Sequence, residues 1–174
     1  TNPALWNGWK HGLLRDLFLL TRSKLNKEPL KSIKEISKDR KNNLVKNYTN
    51  LNEKKEIQNY LKLFDDAYFS KNNLERLSWQ SDLILKAAMS SSVIGCRKCF
   101  GNLLEIFIKT DNFDGLFLKL VEVLEISGLE IIDANISTSS NKAIAANTFI
   151  AKFSHHDRGL SKSEVKDLQL KIND

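Results

Sequence analysis

Residues 103–110 read LLEIFIKT. Leu104, Ile106 and Ile108 alternate with Glu105, Phe107 and Lys109, the two-residue period of a strand with one apolar face. Downstream, residues 115–127 read GLFLKLVEVLEIS. Leu116, Leu120, Val123 and Leu124 fall at helical spacing there, and Gly128 supplies a stop. Residues 129–137 (LEIIDANIS) return to strand, residues 137–142 (STSSNK) form a turn, and residues 143–153 form a further strand. After a loop at 155–159, Ser161 with Glu164 has the capping-box spacing and opens a helix over 162–172. The succession strand, helix, strand, strand, helix predicts a ferredoxin-like βαββα unit, an antiparallel sheet under two helices. The last strand of the full βαββαβ pattern is lacking. That strand belongs beside the first, so a bare flank is expected along residues 103–110, to be covered by another segment or by self-association.

Upstream the period changes. Val93 and Ile94 suggest a short strand, with a turn over 98–102 that contains Gly101. Before them the chain reads as all α. Asn2 and Pro3 open a helix, and Trp6, Trp9, Leu13, Leu17 and Leu20 stripe it to about residue 25. A weaker helix is expected over 30–48 and a third over 53–69. Asn72 with Glu75 has capping-box spacing ahead of a fourth helix over 74–89, which Ser90, Ser91 and Ser92 end. The fold class is therefore α+β: a helical region over 1–90, then the incomplete βαββα unit over 91–174.

The 174 residues are 41% hydrophobic and 28% charged, a composition that excludes wholesale disorder. The formal charge is +6, from 21 lysines and only 6 arginines, alongside 17 asparagines. Lysine and asparagine enrichment without arginine argues against a dedicated nucleic-acid surface, because bidentate recognition leans on arginine. Residues 22–62 hold 12 basic and 5 acidic side chains, either a solvated helical face or a docking surface for an acidic partner. No apolar run reaches the roughly 18 residues of a membrane helix, and no signal-peptide pattern is visible. The expected compartment is the cytoplasm.

Four stretches resemble a known family: residues 1–22 (TNPALWNGWKHGLLRDLFLLTR), 65–79 (DDAYFSKNNLERLSW), 104–117 (LEIFIKTDNFDGLF) and 128–149 (GLEIIDANISTSSNKAIAANTF). The family is the bacterial bifunctional uridylyltransferase/uridylyl-removing enzyme, which modifies the PII regulatory protein in nitrogen signalling. The pattern L-W-N-x-W-K-x-x-L-L-R-x-L is the most specific part. The resemblance implies that residues 1–90 are the tail of an HD phosphohydrolase domain plus linker helices, and that residues 91–174 are the first of two ACT domains. It implies glutamine as effector, PII as partner through the parent enzyme, and a second ACT domain beyond Asp174. Nucleotidyltransferase and HD domains, with their Mg, would lie before Thr1. No catalytic motif of that family, and no phosphate-binding loop or zinc-protease motif, occurs in this chain. No cofactor or metal is expected in the segment.

The family's first ACT loop, approximately D-R-P-G-L-F, corresponds here to Asn112, Phe113, Asp114, Gly115, Leu116 and Phe117. Asn112, Asp114, Gly115 and Leu116 are the candidate ligand residues. Amide groups at the start of the following helix favour a carboxylate, and Asp114 suits an ammonium group. The bland alternative is a plain helix cap. The T-T-R-D-G turn corresponds to Thr138, Ser139, Ser140, Asn141 and Lys142. Apolar signature positions survive and polar ones have changed, which leaves a second possibility: a stand-alone, non-catalytic ACT-type interaction module from a split or degenerate gene. Cys96 and Cys99 form a C-x-x-C that, with His155 and His156, has the ligand types of a zinc site; structural or incidental thiols are the other reading.

Overall fold

A computed structural model describes residues 31–87, 92–99, 103–153 and 161–173, with scattered positions between Leu14 and Asn26. The tryptophan stripe and the His155–His156 pair lie outside the described residues. Of the first expected helix, Leu14, Leu17, Phe18, Thr21, Arg22, Lys24 and Leu25 are helical.

Four helices come first: α1 (Ile33–Lys46), α2 (Leu51–Leu61), α3 (Asp66–Lys71) and α4 (Leu74–Lys86). Helix α1 starts three residues later than its apolar pattern suggests, because Ser32 and Glu35 form a reciprocal capping box at its start. The single helix expected over 53–69 is two. Asp65 accepts the Tyr68 N–H at 3.0 Å and starts a new helix, and Phe64 stacks on Tyr68 with ring centroids 4.4 Å apart. The cap of α4 is Asn73, which accepts from the Arg76 N–H at 2.8 Å, rather than Asn72. Asn72 is buried, donating to the Tyr68 carbonyl at 2.9 Å and accepting from Asn135 at 3.2 Å.

The sheet holds four antiparallel strands in the order β1-β2-β4-β3. They are β1 (Val93–Lys98), β2 (Leu104–Asp111), β3 (Leu129–Asn135) and β4 (Ile144–Phe153). Helix α5 (Leu116–Ile126) joins β2 to β3, and α6 (Lys162–Asn173) follows β4. The βαββα succession is thus as expected. The flank of β2 is not bare, however. Six residues of β1 pair along it, from Val93 opposite Lys109 to Lys98 opposite Leu104. The short strand expected around Val93 and Ile94 runs on to Lys98, where the charged Arg97 is paired with Glu105 and Glu75 and so can lie in the sheet. Of the two expected covers for the β2 edge, another segment or self-association, the upstream segment β1 fills it, and the outer strands are β1 and β3.

Both faces of the sheet are covered. Ile94, Leu104, Ile106, Ile108, Phe149 and Ala151 pack against Leu116, Leu120, Val123 and Leu124 of α5. Helix α6 lies on α5 and β1. On the other face, Phe107 and Ala146 join Leu44, Ile57, Phe64, Tyr68, Phe69 and Leu77 in a second core, shared with the helical region. Adjacent β2 residues thus enter different cores, as the alternation of a strand requires. Phe107 is fully buried, and removing its ring would cost about 3–5 kcal/mol.

Polar bonds fix the register between helical layer and sheet. Tyr68 donates to Gln80 at 2.7 Å, and the Gln80 amide donates to Thr148 of β4 at 2.9 Å. Burial raises the Tyr60 and Tyr68 phenol pKa values, so this buried pair stays protonated. Glu105, also buried, accepts from the Arg76 and Arg97 guanidinium groups, the latter at 2.7 Å.

Candidate functional site

The candidate loop begins where β2 ends. The Asn112 N–H donates to the Ala143 carbonyl at 2.9 Å, carrying the ladder one step past the Asp111–Ile144 pair. The Asn112 side-chain amide donates to the Lys142 carbonyl, also at 2.9 Å. Asn112 thus clips the loop to the β3–β4 turn and does not cap α5. Asp114 is exposed, and the N-cap position of α5 is Gly115, with no side-chain cap hydrogen bond. The plain-cap reading of Asp114 therefore does not describe this helix start. Gly115 has φ 85°, a left-handed conformation in which a Cβ would be strained.

Leu116 stands apart from the other three candidates. Its side chain is buried with Leu120 and Ile106, and its N–H donates to the Phe113 carbonyl at 3.2 Å. Asn112, Asp114 and Gly115 share the exposed loop, and Leu116 anchors it to the core. Three neighbours outside the four candidates join them, two of which, Phe113 and Phe117, belong to the same loop stretch. Phe113 and Phe117 are about half exposed, and Lys119 lies with its ammonium 5.8 Å from the Phe113 ring centroid. Lys119 sits one turn into α5, and that helical spacing from Gly115 was the available signal. The loop thereby presents a carboxylate, an ammonium, two aromatic rings and the positive end of a helix dipole. That set suits a small zwitterion with a polar side chain.

A separate open groove of about 500 Å3 runs along α4 to β1, lined chiefly by Leu74, Glu75, Ser78, Trp79, Asp82 and Arg97. It contains none of the loop residues. Its charges are already engaged. Arg97 stacks 4.4 Å over Trp79, pairs with Glu75 at 3.0 Å and binds Glu105. Asp82 accepts from the Tyr48 hydroxyl at 2.9 Å, and burial with this carboxylate contact raises the Tyr48 pKa.

Cys96 lies in β1 and packs against the α5-side core, with Cys99 just past the strand end. Three residues along an extended chain is about 10 Å, beyond disulfide reach. The basic helical stretch is partly paired internally. Lys31 pairs with Asp39, Lys41 with Asp66 at 3.2 Å, and Arg40 donates to the Phe69 and Ser70 carbonyls at 2.6 and 2.7 Å. Among the described residues, no helix is long and apolar enough to cross a membrane.

No family model matches the chain, and no solved structure matches it. Curated relatives do. The chain is 26% identical over 156 residues to the bifunctional uridylyltransferase/uridylyl-removing enzyme of Acinetobacter baylyi, a match covering 86% of this chain and 18% of that enzyme. It is 29% identical over 153 residues to the enzyme of the same description from Pseudomonas entomophila, covering 82% of this chain and 17% of the relative. Against that of Xanthomonas oryzae it is 25% identical over 149 residues, covering 83% and 17%. The chain is thus similar to one segment of these enzymes over most of its own length, and it spans less than a fifth of theirs.

Proposed function

We propose that this chain acts as the regulatory C-terminal segment of a PII uridylyltransferase/uridylyl-removing enzyme, with its ACT-type unit sensing glutamine. The observation that carries the reading is the similarity to one segment of those enzymes over more than four-fifths of the chain, on a fold of linker-like helices followed by an ACT-like sheet. Glutamine fits the loop chemistry. Its carboxylate lies toward the first turn of α5 and Lys119, its ammonium toward Asp114, and its amide toward Asn112. Binding there shifts a two-state equilibrium that the attached catalytic domains read, favouring removal of UMP from PII when glutamine is plentiful and transfer from UTP when it is scarce. Those domains, not this chain, supply the catalytic residues and Mg. The reading places the chain in the cytoplasm, with PII and a further ACT domain as partners.

A second reading has its own support. Family positions D-R-P are occupied by Asn112, Phe113 and Asp114, substitutions that favour a non-catalytic interaction module without a ligand. Calorimetry and thermal unfolding with glutamine separate the two. For a site with a Kd of about 1 mM, about 10 mM glutamine adds about 1.4 kcal/mol of stability. A chain of this size then melts about 3–5 °C higher. Binding heat with that rise supports sensing. No heat and no rise with glutamine supports the interaction module.

A further inference from the structure

The β3–β4 turn is held from both sides. On one side, Asn112 of the candidate loop donates its N–H to the Ala143 carbonyl and its side-chain amide to the Lys142 carbonyl, both at 2.9 Å. On the other, the Ser140 N–H donates to the carbonyl of Leu63, in the turn that ends α2, at 2.7 Å. The turn itself is a small closed unit. The Ser139 N–H donates to the Ile144 carbonyl at 2.8 Å, and the Ile144 N–H donates to the Ser139 hydroxyl at 2.9 Å. Asn141 accepts from the Ser139 hydroxyl at 2.7 Å and from the Ala143 N–H at 3.1 Å. Ser139 is buried. Lys142 has φ 59°, a left-handed conformation unfavourable for a residue with a Cβ. Its bonded neighbours hold it there, and Asn112 is one of them.

We propose that residues 139–142 couple the Asn112–Gly115 loop to the helical layer. Movement of the loop that withdraws Asn112 frees the carbonyls of Lys142 and Ala143. Lys142 can then leave its strained conformation, and the turn carries the Ser140 N–H away from Leu63. The helical layer thereby senses the loop through backbone bonds that a shift of about 1 Å breaks. This deepens the reading of the loop as a ligand site and rests on it only for the nature of the signal.

Amide hydrogen exchange on the intact chain, without ligand, tests the coupling. Its failure is therefore distinct from a failure to bind glutamine. Asn112→Ala, which removes the side-chain bond to the Lys142 carbonyl and keeps the backbone bond to Ala143, is expected to raise exchange about ten-fold at residues 139–145 and about three-fold or more at residues 57–64, with β2 unchanged. Ser140→Pro, which removes the N–H at a turn position that accepts proline, is expected to raise exchange at residues 57–64 alone. Glu122→Ala, on the exposed side of α5, is expected to change neither region. Loosening of the turn by Asn112→Ala with residues 57–64 unchanged overturns the coupling, as does unchanged exchange at 57–64 in Ser140→Pro.

Discussion

Replacing Glu105 by alanine should destabilise the chain more than any surface charge change. Glu105 is 2% exposed and holds both Arg76 and Arg97, one on each carboxylate oxygen. Removing one partner of a buried ion pair costs about 3–5 kcal/mol, because the remaining charge is stranded. Here the two arginine side chains are 23% and 26% exposed, and Arg97 keeps Glu75 and Trp79. Partial rehydration therefore places the cost near the low end, about 3 kcal/mol. Glu105→Gln keeps the volume and one acceptor, but it leaves both guanidinium charges unneutralised and turns an amide donor toward one of them, so it should cost nearly as much, about 2–3 kcal/mol. With a urea m-value of about 2 kcal/mol/M, the midpoints fall by about 1.5 M and about 1–1.5 M. Replacing Glu105, Arg76 and Arg97 together by leucine and methionines should return to within about 1 kcal/mol of the parent, since the only partner left unpaired, Glu75, is exposed to water and no buried charge remains. A Glu105→Ala midpoint within about 0.2 M of the parent would refute the claim that this carboxylate locks helical layer to sheet.

Lys142→Gly removes a left-handed Cβ at an exposed turn position, so a gain of up to about 1 kcal/mol is expected by thermal unfolding, net of the added entropy of the unfolded chain. Gly95→Val would place a Cβ 2.0 Å from a Leu83 methyl carbon, costing about 1–3 kcal/mol, and Leu83→Ala in the same chain should recover part of that loss. Asp66 accepts from the Ser37 hydroxyl at 2.6 Å and from Lys41 at 3.2 Å, which together hold its carboxyl below the usual range. Its folded pKa lies below the unfolded one, so its contribution is complete at neutral pH and fades as pH falls below about 3.8. Acid titration should show Asp66→Asn losing stability less steeply than the parent in that range.

The βαββα order was legible because each element carries its own period. Leu116, Leu120, Val123 and Leu124 alone fix the buried face of α5. The extent of β1 was not, because Gly95, Arg97 and Lys98 look like loop until Glu105 and Glu75 supply the opposite charges. Glu105 itself reads as solvent-facing on a two-residue period, and nothing local reveals that helices cover the second face. Gln80 is buried in α4 for the same reason: its partners, Thr148 of β4 and Tyr68, are remote in sequence. In the candidate site, Gly115 and its loop were readable from the helix start. The clip from Asn112 to the carbonyls of Lys142 and Ala143 was not, since carbonyl oxygens are common to every residue and leave no trace in sequence.

Glutamine titration followed by amide nuclear magnetic resonance tests the sensing assignment most directly. Saturable shifts centred on residues 112–117 and Lys119 are expected, with glutamate and asparagine at equal concentration producing weaker ones. Unmoved loop resonances at about 10 mM glutamine, or shifts confined to the Trp79–Asp82 groove, would contradict it.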